Sequence, residues 1–295
     1  MALKLNCTII SVEGNIGSGK STLVEAMRKH FNDDPNILFI QEPVEQWGQI
    51  VDKSGKSILE KYYANQEKYA FSFQMMAYIS RLSQLRNAMT KGYHTIVTER
   101  CVFTDKMVFA KMLYDEGKIE DVNYKIYNKW FDEFLCELPR FKYVYLKTST
   151  GVAKQRIETR KRQGEESIPM NYLEKCNNYH DNWLLQKKNS SEVLILDGET
   201  DRNQNSLETS NLIQQIKLFM KREIVYTIMF DGGSRGNPGR SGCGFVICEN
   251  GAVIEQNKSF LGIRTNNYAE YMGVILALQK AHYIGCRNII IKGDS

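Results

Sequence analysis

The segment GNIGSGKST, residues 14–22, has a composition and spacing that suit the binding of phosphate. It fits the pattern G-x-x-x-x-G-K-[ST] and lies between an apolar run and a segment of helical period. Glycines let backbone N–H groups turn toward phosphate oxygens, and the N-terminus of the following helix adds partial positive charge. The Lys side chain can neutralise the β- and γ-phosphates, and the Ser hydroxyl can reach magnesium. The segment therefore predicts a nucleoside-triphosphate site formed by Gly14, Asn15, Gly17, Ser18, Gly19, Lys20, Ser21 and Thr22.

A second group of residues could bind and activate an acceptor. Glu42 follows the second apolar run, Gln74 lies among aromatic residues, and Arg100 follows Glu99 at the end of the third run. A carboxylate can take a proton from a hydroxyl group, and a glutamine amide offers a donor and an acceptor together, which suits the edge of a nucleobase. A cluster of arginines suits a phosphoryl group in transfer, whose charge spreads over its equatorial oxygens. The arginines in RIETRKRQGEESIP are Arg156, Arg160 and Arg162.

Three carboxylates in the last quarter of the chain form a third candidate site. Asp231 ends an apolar strand, Glu270 lies on the next helix, and Asp294 ends the final strand in RNIIIKGDS. If they converge at one end of a sheet, they could hold two magnesium ions for hydrolysis of a phosphodiester. The nearby stretch GGSRGNPG would let the backbone approach a nucleic-acid strand.

The elements that must position these residues alternate between strand and helix. Apolar runs predict buried parallel strands at 5–12, 37–41, 93–99, 141–147 and 192–197. Segments of helical period predict helices over 66–90, 102–116, 121–136, 150–162, 170–188 and 207–222. This order predicts an α/β fold with a parallel five-stranded sheet and helices on both faces. Antiparallel strands come first after about residue 223, so we expect a domain over 1–222 and a second, partial α/β unit over 223–295.

Length and composition agree with two domains. The chain has 295 residues, of which 42% are hydrophobic and 25% charged, so both parts can bury a core. The net charge of +5 permits phosphate ligands without implying a nucleic-acid binder. The seven cysteines are scattered without a CxxC pair, which argues for reduced thiols. There is no signal-peptide pattern and no run of about 18 apolar residues, so we expect a cytoplasmic protein with no membrane segment.

On these motifs, residues 5–222 resemble the deoxyribonucleoside kinases, the family of deoxycytidine kinase and deoxyguanosine kinase. The resemblance is carried by the phosphate loop together with EPVEQW, FSFQ, ERC and RIETRKR. It implies that Glu42 is the general base, that Glu99 helps Ser21 to hold Mg²⁺, and that Arg100 steadies Glu42. It also implies ATP as the phosphate donor, with its phosphates contacted by the three arginines, and a homodimer. The family's E-R-S motif is replaced here by ERC, a departure that the sequence does not explain.

The same resemblance implies a nucleoside pocket and a base preference. Arg81 and Asp105 match an Arg–Asp pair typical of the deoxycytidine- and purine-type members, and Ala77 fits that subgroup. Such a pair can orient donors toward an amino- or keto-bearing edge and crowds out the methyl group of thymine. We therefore predict deoxyadenosine, deoxyguanosine or deoxycytidine as acceptors, with thymidine poor. An ungapped count places Glu165 at the sugar-binding glutamate, with Glu166 as the alternative. The implied pocket comprises Ile16, Val44, Trp47, Leu59, Tyr63, Phe73, Gln74, Ala77, Arg81, Asp105, Phe109 and Glu165.

Residues 223–295 resemble the N-terminal half of a ribonuclease H domain, on YTIMFDGGSRGNPG, TNN and IIIKGDS. The resemblance implies that Asp231, Glu270 and Asp294 are metal ligands of an incomplete site, because the family's domain continues with a fourth acidic ligand and further helices. We therefore expect an inactive appendage that makes weak contact with an RNA–DNA hybrid. Three other hypotheses remain: a bifunctional kinase and hybrid nuclease, a nucleic-acid-binding module gated by nucleotide, and a nucleoside-monophosphate kinase.

Overall fold

The computed structural model describes residues 7–135, 138–161, 165, 168–187, 192–200, 206–221, 225–284, 286 and 288–293. It divides the chain into two compact units, Met1–Met220 and Lys221–Ser295. Arg162, Glu166 and Asp294, which the sequence analysis singles out, lie outside the described residues.

The first unit is built on a parallel sheet of five strands. These are β1 (Thr8–Glu13), β2 (Ile37–Ile40), β3 (Thr95–Glu99), β4 (Arg140–Lys147) and β5 (Val193–Asp197), in the spatial order β2-β3-β1-β4-β5. In the central strand, Val12 pairs with Glu99 on one side and with Val144 on the other. Because the strands are parallel, their carboxyl ends meet at one edge, which is where open α/β sheets bind ligands.

Helices cover both faces of this sheet. They are α1 (Lys20–His30), α2 (Val44–Gln49), α3 (Ile58–Ala64), α4 (Gln66–Met89), α5 (Val102–Thr104), α6 (Lys111–Asp115), α7 (Asp121–Leu135), α8 (Thr150–Arg160), α9 (Met170–Leu184) and α10 (Ser206–Lys221). A π-helical segment, Asp105–Ala110, joins α5 to α6, and a 3₁₀ turn, Leu185–Lys187, follows α9. The predicted helix over 102–116 is present over 102–115, but residues 105–110 within it are π-helical.

Neighbouring residues of β1 and β3 pack in two separate hydrophobic cores, because successive side chains of a strand point to opposite faces. Ile9 and Ile96 pack in one core with residues of α4 and α7. Ile10 and Val97 pack in the other core with residues of α1 and α10. This confirms the predicted architecture of a parallel five-stranded sheet with helices on both faces.

The second unit has a four-stranded sheet and one helix. Its elements are β6 (Tyr226–Gly236), β7 (Gly239–Glu249), β8 (Ala252–Arg264), α11 (Asn266–Tyr283) and β9 (Ile289–Lys292), with the strands in the order β8-β7-β6-β9. β7 is antiparallel to both β6 and β8, whereas β9 is parallel to β6. Ala277 and Ala281 of α11 pack on Ile228 and Ile247 of the sheet. The prediction of antiparallel strands, then a helix, then a parallel strand is confirmed, but Asp231 lies inside β6, which continues to Gly236, so the prediction that Asp231 ends its strand is wrong.

None of the helices in the described part of the chain is both long enough and apolar enough to cross a membrane.

Candidate active site

A cavity of about 590 Å³ lies at the carboxyl edge of the first sheet, among residues that follow β1, β2, β3 and β5. It brings together most of the residues that the sequence analysis assigned to the two halves of the reaction. The predicted residues that line it are Ile16, Gly17, Gly19, Lys20, Ser21, Thr22, Glu42, Val44, Trp47, Leu59, Tyr63, Phe73, Gln74, Ala77, Arg81, Glu99, Arg100, Asp105, Phe109, Arg156, Arg160 and Glu165. Gly14, Asn15 and Ser18 belong to the same loop but do not line the cavity.

The phosphate loop has the backbone that its glycines allow. Gly17 has a φ of 78°, and a Cβ atom there would lie 2.3 Å from the carbonyl oxygen of Ala153 in α8. Any side chain would therefore push the loop away from α8. The Asn15 side chain contacts another helix, since its amide nitrogen donates to the carbonyl oxygen of Leu173 in α9 at 2.8 Å. The loop is thus fixed between two helices before any phosphate arrives.

Lys20 is buried inside the loop. Its ammonium group donates to the backbone carbonyl oxygen of Asn15 at 2.7 Å. Burial, and next the nearby Arg100, lower the pKa of Lys20 to about 7. The adjoining Ser18 hydroxyl is buried and has no hydrogen-bond partner among the described residues. An anion in the loop would supply a partner for the hydroxyl and would favour the charged form of the lysine.

Ser21 and Glu99, the two predicted magnesium ligands, are in contact. The Ser21 hydroxyl donates to a carboxylate oxygen of Glu99 at 2.8 Å. Mg²⁺ prefers such hard oxygen ligands and commonly takes one or two from the protein and the rest from water and phosphates. The described parts of the chain contain no group of three or more His, Cys, Asp or Glu side chains placed so that they could hold a metal ion. The pair fits a nucleotide-bound ion better than a cage of protein ligands.

Glu42 is held by two arginines. The Oε1 atom of its carboxylate accepts from Arg81 Nη2 and, at 2.9 Å, from Arg100 Nη1. Burial alone would raise the pKa of Glu42, but Arg100 and then Arg81 outweigh burial and hold this pKa well below its usual range. The carboxylate is therefore ionised at neutral pH and can accept a proton.

An aromatic slot adjoins Glu42. The ring of Phe73 packs edge-on against Trp47 with centroids 5.5 Å apart, and it stacks on Tyr62 at 4.6 Å. Gln74 is buried beside it, and the Oε1 atom of Gln74 has no hydrogen-bond partner among the described residues. A buried acceptor without a partner is costly unless a ligand satisfies it.

The predicted Arg–Asp pair lines the same cavity. Arg81 Nε donates to Asp105 Oδ1 at 3.2 Å, and Arg81 Nη1 donates to the carbonyl oxygen of Glu99 at 3.0 Å. Burial raises the pKa of Asp105 to about 6, and the charge of Arg81 opposes this rise without cancelling it. Asp105 lies at the start of the π-helical segment.

The two described arginines of α8 have different surroundings. Arg156 donates to four carbonyl oxygens, those of Ser18 at 3.2 Å, Gly198 at 2.8 Å, Glu199 at 2.9 Å and Thr200 at 3.0 Å. Its guanidinium group therefore ties the phosphate loop to the segment that follows β5.

Arg160 instead forms an ion pair with Glu165, to which its Nε donates at 2.8 Å. Burial, and then the charge of Glu165, raise the pKa of Tyr63 above its usual value, which places this hydroxyl near the carboxylate. Tyr63 and Glu165, which are expected at the sugar, thus lie near Arg160, which is expected at the phosphate.

Several cavity residues were not foreseen from the sequence. They are Tyr62, Val152, Gln155, Thr159, Tyr172, Glu199 and Thr200. Glu199 and Thr200 follow β5 directly, so the rule that ligands bind beyond the carboxyl ends of parallel strands could have found them. The hydroxyl groups of Tyr62 and Tyr172 are 3.0 Å apart, a long-range contact for which the sequence carries no signal.

In the second unit, the segments that carry Asp231 and Glu270 touch. A Cβ atom at Gly232 would lie 2.4 Å from the backbone nitrogen of Glu270, so strand and helix meet at this glycine. The Glu270 carboxylate accepts from the side-chain amide of Asn266 at 2.9 Å. Two of the three predicted acids are thus on adjoining segments, and the third, Asp294, lies outside the described residues.

Comparison with known proteins agrees with this geometry. A deoxynucleoside kinase family model matches residues 10–221, and a reverse transcriptase-like family model matches residues 229–295. The "Probable deoxycytidine kinase" of Fowlpox virus (strain NVSL) is 33% identical over 227 residues, which cover 73% of this chain and 92% of the viral protein. Deoxycytidine kinase 2 of Gallus gallus is 32% identical over 240 residues, covering 72% of this chain and 89% of its own. The mitochondrial deoxyguanosine kinase of Xenopus laevis is 26% identical over 238 residues, covering 72% and 89%.

These matches confirm both predicted resemblances, the second through the reverse transcriptase-like match. They also confirm the enzyme class, a phosphotransferase acting on an alcohol group, in a family whose members use ATP. The chain belongs to the deoxynucleoside kinase family.

Proposed function

We propose that this chain serves nucleotide salvage by transferring the γ-phosphoryl group of ATP to the 5′-hydroxyl of deoxycytidine, deoxyadenosine or deoxyguanosine, with thymidine a poor acceptor. The observation that carries this proposal is the Arg81–Asp105 pair in the same cavity as Glu42 and Gln74. Asp105 and Gln74 offer oxygen acceptors to the base. Cytosine, adenine and guanine each carry an amino group that can donate, whereas thymine carries no amino group and has a methyl group.

Glu42 takes the proton of the 5′-hydroxyl in this proposal. Arg81 and Arg100 both donate to Oε1 of its carboxylate, and the 5′-hydroxyl can donate to the other oxygen, Oε2. Arg100 stays beside the carboxylate and keeps it ionised. Lys20 lies in the loop that receives the β- and γ-phosphates and neutralises their charge. Ser21 and Glu99 would hold Mg²⁺, which when bound would supply positive charge to the phosphate oxygens.

We assign the 3′-hydroxyl of the sugar to Glu165 and Tyr63. Glu165 is paired with Arg160 before an acceptor arrives. When the sugar hydroxyl donates to this carboxylate, it weakens the hold of Glu165 on Arg160. The arginine can then turn toward the transferring phosphoryl group, where its charge counts most.

The deciding experiment is a panel of the four deoxynucleosides with ATP and Mg²⁺, measured as kcat/KM for each. The proposal expects at least one of deoxycytidine, deoxyadenosine and deoxyguanosine to exceed thymidine by about tenfold or more. Thymidine as the best acceptor would refute the assignment of Arg81 and Asp105. Turnover of thymidylate in preference to all four nucleosides would instead favour a nucleoside-monophosphate kinase.

A homodimer is part of the proposal, and α7 offers a surface for it. Val122, Ile126 and Trp130, at intervals of four residues on one face, are 58%, 43% and 51% exposed. Such a stripe is typical of a helix that packs on another helix. Sedimentation should give a dimer mass for the parent chain and a smaller mass for Trp130→Glu. A monomeric parent would contradict this part.

For the second unit, RNA–DNA hybrid cleavage is the alternative activity, favoured by the match of residues 229–295 and by the contact of β6 with α11 at Gly232. We propose that the unit does not cleave and that any contact with a hybrid is weak. Magnesium-dependent cleavage by the parent that is lost in Asp231→Asn would make the protein bifunctional. We also propose a cytoplasmic location, which the unbonded state of the described cysteines supports.

A further inference from the structure

The carboxylate of Glu13, a buried residue directly before the phosphate loop, has no role in the proposed phosphoryl transfer. Glu13 ends β1 and directly precedes Gly14, and it is 0% exposed. Its carboxylate accepts from the Ser11 hydroxyl at 2.6 Å, from the Cys101 thiol at 3.3 Å and from the Thr104 hydroxyl at 2.8 and 2.7 Å to its two oxygens. In an environment without water, such bonds are stronger than at the surface, and an unpaired member is costly.

Two of these three donors belong to the turn that carries Arg100. The backbone N–H of Cys101 donates to the Thr104 hydroxyl at 3.0 Å, and Thr104 in turn donates to Glu13. The backbone N–H of Arg100 donates to the carbonyl oxygen of Val12 at 3.0 Å. The turn is thus fastened to β1 twice, through the backbone at Val12 and through side chains at Glu13.

Arg100 needs this fastening because its backbone is in the left-handed region, with a φ of 59°. A residue other than glycine keeps such a conformation only where its surroundings hold it. From there Arg100 Nη1 reaches Glu42 at 2.9 Å. A turn that relaxed would move the guanidinium group away from the carboxylate.

We propose that Glu13 is a positioning residue for phosphoryl transfer, which acts through Cys101 and Thr104 to hold the turn that directs Arg100 at Glu42. The inference rests on the proposed function, in which Glu42 is the general base. It also gives the cysteine of the ERC motif a role, since its thiol supplies to Glu13 the donor that a serine hydroxyl would supply.

Loss of the turn has a specific consequence for the pH profile. Arg100, Arg81 and Lys20 are the cations that act on Glu42, and Asp105 and Tyr63 are the other titratable groups near it. If Arg100 moves away, one of the opposing charges is lost and the pKa of Glu42 rises. A carboxylate must be ionised to act as a base, so the acid limb of kcat, which does not contain the effect of Asp105 on KM, then moves to higher pH.

The test compares three donors to the same carboxylate in the full chain. Thr104→Val and Cys101→Ala each remove a donor on the Arg100 turn, whereas Ser11→Ala removes a donor on β1 itself and serves as the matched control. We expect Thr104→Val to lower kcat by about 10- to 100-fold and to move the acid limb upward by about one pH unit. Cys101→Ala should shift it in the same direction by less, because a thiol is a weak donor.

The conservative variants Thr104→Ser and Cys101→Ser keep a donor and should keep the parent profile. Ser11→Ala should lower the melting temperature without moving the acid limb. Thr104→Val that folds with an unchanged profile, or Ser11→Ala that moves the limb as far as Thr104→Val does, would overturn the inference. Failure of the proposed function is a separate result, namely full activity of Glu42→Gln.

Discussion

Glu42 has two arginine partners on one carboxylate oxygen, so its charge is secured before the acceptor enters. We therefore expect that removal of the negative charge of Glu42 lowers kcat. We expect Glu42→Gln to lower kcat by about 10²- to 10⁴-fold, the usual contribution of a general base, with little change in the KM for ATP. Initial rates at saturating ATP measure this. Glu45→Gln is the control, because Glu45 lies three residues after Glu42, on α2, and is exposed. Activity of Glu42→Gln within a few-fold of the parent would exclude Glu42 as the base.

Asp105 should make base recognition dependent on pH. Burial raises its pKa to about 6, above the ordinary value for aspartate. Above this pH the side chain is ionised and accepts hydrogen bonds from an amino group, and as the pH falls through this value it gains a proton and loses that capacity. We expect the KM for deoxycytidine to rise about tenfold from about pH 7 to about pH 5, with a smaller change in kcat. In Asp105→Asn the KM should be high at both values. A KM for the parent that does not change over this range would contradict the assignment.

At the scale of elements, the strands were predictable because buried parallel strands are continuous apolar runs. ILFIQ and EVLILD predict β2 and β5 to within two residues at each end. The segment after ERC was harder, since its apolar spacing indicates one helix whereas the structure has a π-helical segment from Asp105. A regular helix and a π-bulge differ by one residue in a turn, and hydrophobic periodicity does not resolve that difference. The ion pair between Asp105 and Arg81 joins residues 24 positions apart in the chain. It is therefore a tertiary contact, which a local sequence pattern does not predict.

The candidate site was predictable where a sequence motif carries the chemistry. It was less predictable where tertiary contacts determine the position of a side chain. The loop motif predicts a phosphate and magnesium site at Lys20 and Ser21, the family resemblance adds Glu99, and the structure brings Ser21 and Glu99 into contact. Nothing in the pattern RIETRKR distinguishes Arg156 from Arg160. Arg156 donates to backbone carbonyl oxygens because the segment after β5 lies beside it, whereas Arg160 donates to the Glu165 carboxylate.

The contacts of Arg156 therefore predict that its substitution affects both the phosphate loop and the segment after β5. Its guanidinium group spans carbonyl oxygens of the phosphate loop and of the segment after β5, which one ammonium group cannot reproduce because it lacks the planar fork. We expect Arg156→Lys to raise the KM for ATP about tenfold and to lower the free energy of unfolding by about 1–2 kcal/mol, since it leaves carbonyl groups without partners. Steady-state kinetics and urea denaturation measure the two effects.

Lys154→Arg, on the same helix, is the matched control and should change neither quantity. Its ammonium group donates to the carbonyl oxygen of Ile168 at 2.9 Å, away from both loops. An Arg156→Lys protein with the parent's KM for ATP would show that the two loops keep their places without the guanidinium group.

At the scale of the whole molecule, the cavity to which we assign the kinase reaction lies within one unit. Every residue that lines the cavity lies between Ile16 and Thr200. The last helix of this unit, α10, is part of its core, because Leu212, Ile216 and Phe219 pack with Ile10 and Val97 of the sheet. Lys142 of β4 also donates to the carbonyl oxygens of Phe219 and Met220, at the end of this helix.

These contacts predict where the chain can be shortened. A chain that ends at Arg222 keeps α10 and its bonds to Lys142, so we expect it to fold and to phosphorylate the same deoxynucleosides with a kcat within about twofold of the parent, because it loses no group that touches the cavity. A chain that ends at Thr200 keeps every lining residue but loses α10, which exposes the apolar side chains beneath it, and should be insoluble or unfolded. Circular dichroism and the acceptor panel separate the two cases. If the chain ending at Arg222 folds but loses more than tenfold in kcat, the second unit takes part in the kinase reaction, and the reverse transcriptase-like segment would need a role in nucleoside phosphorylation.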